Sequence, residues 1–88
     1  MELHAQGEVA AKHASERIAG EIRAELARQK RTASDMAAVI GIAPHTAGRR
    51  LNGERPFNIV ELAAVCRWLG VDMAGVVAKS LRDEAVAS

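Results

Sequence analysis

Apolar residues recur at helical spacing in five stretches of the chain, and turn-forming residues separate them. Ile18, Ile22 and Leu26 fall every four residues and predict a first helix from about Ser15 to Gln29. Arg17, Glu21, Arg23, Glu25 and Arg28 occupy its other side and read as a solvated face with weak ion pairs. Met36, Ala37 and Ile40 give a second helix over Ala33–Ile40, with Ile42 anchoring the turn after it. Ala47 and Leu51 are the inward positions of a third, Pro44 to Asn52. Phe57 is expected to plug the core from the loop that follows. A fourth helix, Asn58 to Leu69, turns Ile59, Leu62, Val65, Cys66 and Leu69 inward, and a fifth, Met73 to Asp83, carries Met73, Val76, Val77 and Leu81.

The residues between these stripes agree with the boundaries. Ser15 is a possible N-cap, and Thr32 with Asp35 and Asn58 with Glu61 have capping-box form. Asp72 suits the cap of the fifth helix. Gly41, Gly53 and Gly70 stand where a helix must stop, and Pro44 fits a first turn because its missing N–H has no partner there anyway. Residues 1–14 predict a flexible or loosely helical arm, residues 15–83 the folded domain and residues 84–88 a frayed tail.

Composition narrows the class. Eighty-eight residues with 49% hydrophobic content, dominated by alanine, suit one small domain of closely approaching helices, hence an all-α fold with a modest core. Cys66 is the single cysteine, so no internal disulfide forms, and its place on an apolar stripe reads as core rather than as a redox switch. No Cys/His cluster has metal spacing, and His4 and His13 read as exposed. The start of the chain does not resemble a secretory leader, and no apolar run approaches the roughly 20 residues that span a bilayer. A cytoplasmic protein is expected.

The net charge of +1 is small, but its distribution is not even. Between Arg28 and Arg55 lie six basic residues (Arg28, Lys30, Arg31, Arg49, Arg50 and Arg55) against Asp35 and Glu54, a local +4, while the remainder carries −3. The positive charge therefore surrounds the second and third helices. Asp35, Glu54 and His45 form no recognisable acid/base or metal constellation and there is no Gly-rich phosphate loop, so no enzymatic activity and no cofactor are expected.

The stretch Ile40-Gly41-Ile42-Ala43-Pro44-His45-Thr46-Ala47-Gly48-Arg49-Arg50-Leu51-Asn52-Gly53 resembles the helix-turn-helix of Cro/CI-type (lambda-repressor-like, or XRE) DNA-binding domains. Glu61 to Val71, ending Leu69-Gly70-Val71, is similar to the fourth helix of that family, and the resemblance runs from about Ile22 to Val77. It implies a five-helix domain whose third helix enters the major groove. Carried onto this chain, base reading falls on Pro44, His45, Thr46 and Arg49. Arg49 suits the N7 and O6 acceptors of guanine, and His45 can donate to guanine or a phosphate. Thr32 and Ala33 fall where the second helix approaches a phosphate, with Ala43, Asn52 and Arg55 also near the backbone. Arg31 belongs to a cationic helix end able to reach phosphates, and Arg50 is placed either on a phosphate or in a pair with Glu54. Trp68 is assigned to the contact between the fourth and fifth helices, or alternatively to a subunit interface.

Three positions depart from the family pattern. Ala33 replaces a frequent phosphate-contacting Gln, Pro44 a polar base reader, and Gly48 a residue kinder to the helix. Direct readout then rests on His45, Thr46 and Arg49, which a homodimer or DNA-shape readout would supplement. The resemblance implies a transcriptional regulator of phage Cro or immunity-repressor kind, acting on a double-stranded operator in a bacterial cell without a small-molecule ligand. The alternative is an antitoxin-type interaction module that also binds DNA, with residues 1–14 as the partner-binding arm.

Overall fold

The computed structural model describes the backbone of residues 2–87 and the side chains of residues 11–82. Among the described residues the chain forms five α-helices and no strand: α1 (Glu2–Gln29), α2 (Ala33–Ile40), α3 (Pro44–Leu51), α4 (Ile59–Leu69) and α5 (Met73–Ala87). The all-α expectation holds. One boundary moves substantially: α1 is continuous from Glu2, so Ser15 is interior to the helix rather than its cap. The Ala, Glu and Lys content of the first residues sustains helix across Gly7. The helix α5 likewise continues to Ala87. His4, and the side chains of 84–88, lie outside the described residues.

Local chemistry sets most of the helix ends. The Thr32 hydroxyl accepts from the Asp35 N–H at 3.0 Å while the Asp35 carboxylate accepts from the Thr32 N–H at 2.9 Å. At α4 the Asn58 side chain accepts from the Glu61 N–H at 2.7 Å, and Glu61 returns to the Asn58 N–H at 3.1 Å. Both capping boxes thus satisfy donors that a helix start leaves orphaned. Asp72 accepts from the Gly75 N–H at 3.0 Å and caps α5. Gly41 and Gly70 both take φ 72°, the left-handed region that closes α2 and α4. The end of α1 achieves the same turn without glycine, because Lys30 adopts φ 56°. That position carried no signal in the sequence.

Ile22, Met36, Ala37, Ala47, Leu51, Leu62, Val65, Cys66 and Leu69 form the buried core together with Leu26, and Ile18, Ile40, Ile42, Phe57, Met73, Val76 and Val77 pack around it. The inward positions foreseen for α2 and α3 hold. Two others do not: Ile59 is 71% and Leu81 55% exposed. The helix α5 packs chiefly on α1 and only lightly on α4, which leaves a shallow apolar cleft lined by Ile59, Met73, Ala74, Val77, Ala78 and Leu81. Ser80 is instead fully buried, its hydroxyl donating to the Val76 carbonyl at 2.9 Å.

The polar side of α1 is not simply solvated. Arg23 donates to the Leu51 carbonyl at the end of α3. Gln29 donates to the Leu69 carbonyl at 2.7 Å, and Arg31 to the Trp68 carbonyl at 3.3 Å. These bonds satisfy terminal carbonyls of α3 and α4 from outside their own helices. Glu21 reaches across to Lys79 of α5 at 3.0 Å, and Glu25 pairs with Arg28 at 2.6 Å.

Candidate nucleic-acid interface

A three-residue turn, Gly41-Ile42-Ala43, joins two eight-residue helices and fixes how α3 is presented. The left-handed Gly41 ends α2, and the Ile42 N–H donates to the Ala37 carbonyl at 3.0 Å, which turns the half-buried Ile42 back toward the core. Ala43 is extended (φ −67°, ψ 148°) and begins α3 without a side-chain cap, and Pro44 takes the first turn. A β-carbon at Gly41 would meet nothing within 4 Å, so the requirement for glycine there is conformational rather than steric.

The sequence of α3 divides it into two faces. Ala47 and Leu51, one turn apart, are buried against α2 and α1. His45 and Arg49, also one turn apart, stand exposed on the opposite face, Pro44 is exposed at the helix start, and Thr46 and Gly48 are half-buried between the faces. The foreseen base-reading set of Pro44, His45, Thr46 and Arg49 therefore lies on one helix, three of its members exposed. Gly48 leaves open space where a side chain would project.

The residues assigned to the DNA backbone divide differently. Ala43, Asn52 and Arg55 are exposed around the two ends of α3. Thr32 is exposed at the start of α2, but its hydroxyl and its N–H are both engaged by Asp35. The Thr32 N–H donating to the carboxylate, and secondarily the Thr32 side chain beside it, hold the Asp35 carboxyl below its usual range, so a negative charge stands at that helix start. Ala33 is half-buried against the core and offers no side-chain donor.

Arg50 does not pair with Glu54, the protein partner foreseen for it. Its Nε donates to one Glu61 oxygen at 2.8 Å and its Nη2 to the other at 3.3 Å, in a pair whose side chains are only 19% and 11% exposed. The Arg50 hydrogen bond lowers the Glu61 pKa, and Glu61 raises that of Arg50. The arginine faces α4, eleven residues away across a loop, and this bidentate contact takes it out of the freely presented cations. Its neighbour Arg49 is the one that meets Glu54, Nε to Oε2 at 3.2 Å.

Arg31 also has a structural engagement. Its guanidinium lies 4.5 Å from the Trp68 ring centroid and donates to the Trp68 carbonyl. Trp68 packs on the core with the corner between α1 and α2 over its ring, a contact not foreseen in assigning it to α4 and α5. The exposed polar groups around α3 are thus His45, Arg49, Asn52, Glu54 and Arg55. Glu61 as the partner of Arg50 was missed because its place in the Asn58 capping box already accounted for it.

Cys66 is buried in the core, and burial raises its thiol pKa. Among the described residues no group of three or more His, Cys, Asp and Glu side chains is arranged to hold a metal ion, and no helix is long and apolar enough to cross a membrane. The chain matches no protein-family model, no curated protein and no solved structure in the comparisons made.

Proposed function

We propose that this protein is a sequence-specific regulator that binds double-stranded DNA by placing α3 in the major groove, in the manner of the Cro/CI-type domains its sequence resembles. The observation that carries the reading is the division of α3. One face is anchored by Ala47 and Leu51, and the other presents His45 and Arg49 one turn apart. The groove is wide enough for such a helix, and arginine and histidine are donors suited to guanine acceptors. Arg55 and Asn52 flank the helix end, where phosphate contacts would fix its register. Occupation of an operator would then exclude polymerase, which makes repression the expected outcome.

Charge and surface shape agree with this assignment. The local +4 between Arg28 and Arg55 surrounds α2 and α3, although the engagements of Arg31 and Arg50 reduce what is freely presented. Exposed Ile59 and Leu81 on the cleft between α4 and α5 form an apolar patch that a second copy would cover. Two copies would double a readout that one sparse helix limits.

Titration of the protein with duplex DNA at several salt concentrations tests the reading. Binding that weakens by roughly 0.9 log unit per phosphate neutralised for each tenfold rise in salt, together with preference for one sequence over its scrambled version, is expected. Equal binding to every duplex would leave only nonspecific attraction.

An antitoxin-type role would require a protein partner. Of the arm assigned to that contact, residues 2–14 form the first part of α1, and the side chains of residues 1–10 lie outside the described residues.

A further inference from the structure

A carboxylate beside the recognition face opposes the attraction of DNA. Glu54 is such a group, 57% exposed at its side chain immediately after α3. Its environment is organised on both oxygens. Oε2 accepts from Arg49 Nε at 3.2 Å, and Oε1 accepts from Asn52 Nδ2 at 3.1 Å. The Glu54 N–H donates back to Asn52 Oδ1 at 3.0 Å, and the Arg55 N–H donates to the Arg49 carbonyl at 3.3 Å. The loop thus folds over the end of α3 and brings a fixed carboxylate to the side of the Arg49 guanidinium.

We propose that Glu54 is a positioning residue for base recognition: held by Asn52, it aligns Arg49 for a bidentate contact with guanine and so sets specificity at one base pair. The inference rests on the DNA-binding reading of α3 and would deepen it. An ion pair this exposed contributes little to folding, so its consequence lies in where it holds the guanidinium. The contact uses Nε, on the side edge of a rigid planar fork, so the end edge, with one N–H from each Nη, remains for a second pair of acceptors. Two coplanar Nη donors match the N7 and O6 acceptors of guanine. An arginine already confined to this plane loses less freedom on docking than an unrestrained one, and a misaligned base finds no alternative rotamer to meet. The negative charge of Glu54 also repels phosphate, which weakens docking that lacks the base contact.

The experiment begins with selection of bound duplexes from a random pool by the full wild-type chain, followed by competition titrations of the selected site against its single-base variants. Glu54→Gln, Arg49→Ala and the double variant are titrated alongside. Glu54→Gln is expected to reduce discrimination about 5-fold or more at the base pair where Arg49→Ala also loses it, within the range of a bidentate contact. Nonspecific affinity should stay level or rise, and the melting temperature should not change. In the Arg49→Ala background, Glu54→Gln should leave discrimination unaltered, since Glu54 acts through Arg49. Affinity raised equally for all sequences, with discrimination intact, would overturn the proposal and make Glu54 a charge brake. If wild type selects no sequence, the DNA-binding reading itself fails and the positioning role with it.

Discussion

Arg50 of α3 and Glu61 of α4 are joined by two hydrogen bonds, Nε to Oε1 at 2.8 Å and Nη2 to Oε2 at 3.3 Å, at a site largely closed to water. The same Glu61 carboxylate accepts the Asn58 N–H, so one side chain both starts α4 and holds α3 to it. Its pKa lies below the ordinary value, mainly through the Arg50 hydrogen bond. A depressed carboxylate contributes its full stability above the unfolded pKa of about 4.3 and loses it as pH falls through the lower folded value. Glu61→Gln should therefore cost about 1–3 kcal/mol near neutral pH, with the difference from wild type shrinking in acid. Urea denaturation of both proteins across that range checks this. A penalty that does not change with pH would assign the loss to packing rather than to charge.

Gly48 gives a second stability test with the opposite sign. It lies inside α3, its φ is not positive, and an added β-carbon would meet nothing within 4 Å. Gly48→Ala is expected to stabilise the fold by about 0.5–1 kcal/mol through helix propensity alone. Thermal denaturation should register a higher midpoint. A lower one would mean that the backbone at Gly48 requires a freedom alanine lacks.

Arg49 and Arg55 should fail in different ways. Arg49→Ala is expected to cost about 1–3 kcal/mol on the preferred site and to relax preference at one base pair. Arg55→Ala should weaken all duplexes alike and lower the salt slope by about one phosphate contact. Titrations against matched and mismatched duplexes separate the two patterns, and a base-specific loss for Arg55→Ala would contradict its phosphate role.

The cleft between α4 and α5 predicts self-association. Ile59 and Leu81 are too large and too exposed to be explained by the core of one copy. Sedimentation of wild type should show a concentration-dependent dimer, and the double substitution Ile59→Lys with Leu81→Lys should shift it to monomer. A wild-type chain that stays monomeric at high concentration would refute the patch as a homodimer surface.

Much of this arrangement is legible in the residues alone where local chemistry decides it. Thr32 with Asp35, and Asn58 with Glu61, form their capping boxes because each needs only three residues of context. Gly41 and Gly70 stop their helices for the same local reason. Ala47 and Leu51 go inward because α3 is short and their spacing leaves one apolar stripe. The misses depend on neighbours distant in sequence. Ile59 and Leu81 follow the stripe of their own helices, yet no helix covers them, because α5 leans on α1. Arg23 looks solvated on a helical wheel, but the carbonyl end of α3 arrives beside it, as that of α4 does beside Gln29. Arg49 and Arg50 are adjacent, and local spacing assigns Glu54 to Arg50. Which one meets Glu61 and which one meets Glu54 is decided by the approach of α4.

That division between the two arginines is central to the account, because it leaves Arg49 with His45 on the exposed face of α3 that is proposed to meet DNA. Selection from a random duplex pool by the wild-type chain tests it most directly. The account predicts enrichment of a short motif containing a guanine whose preference disappears with Arg49→Ala and persists in a charge-neutral variant of another exposed arginine, Arg82→Gln. A pool that emerges unenriched, or a motif indifferent to Arg49, would contradict it.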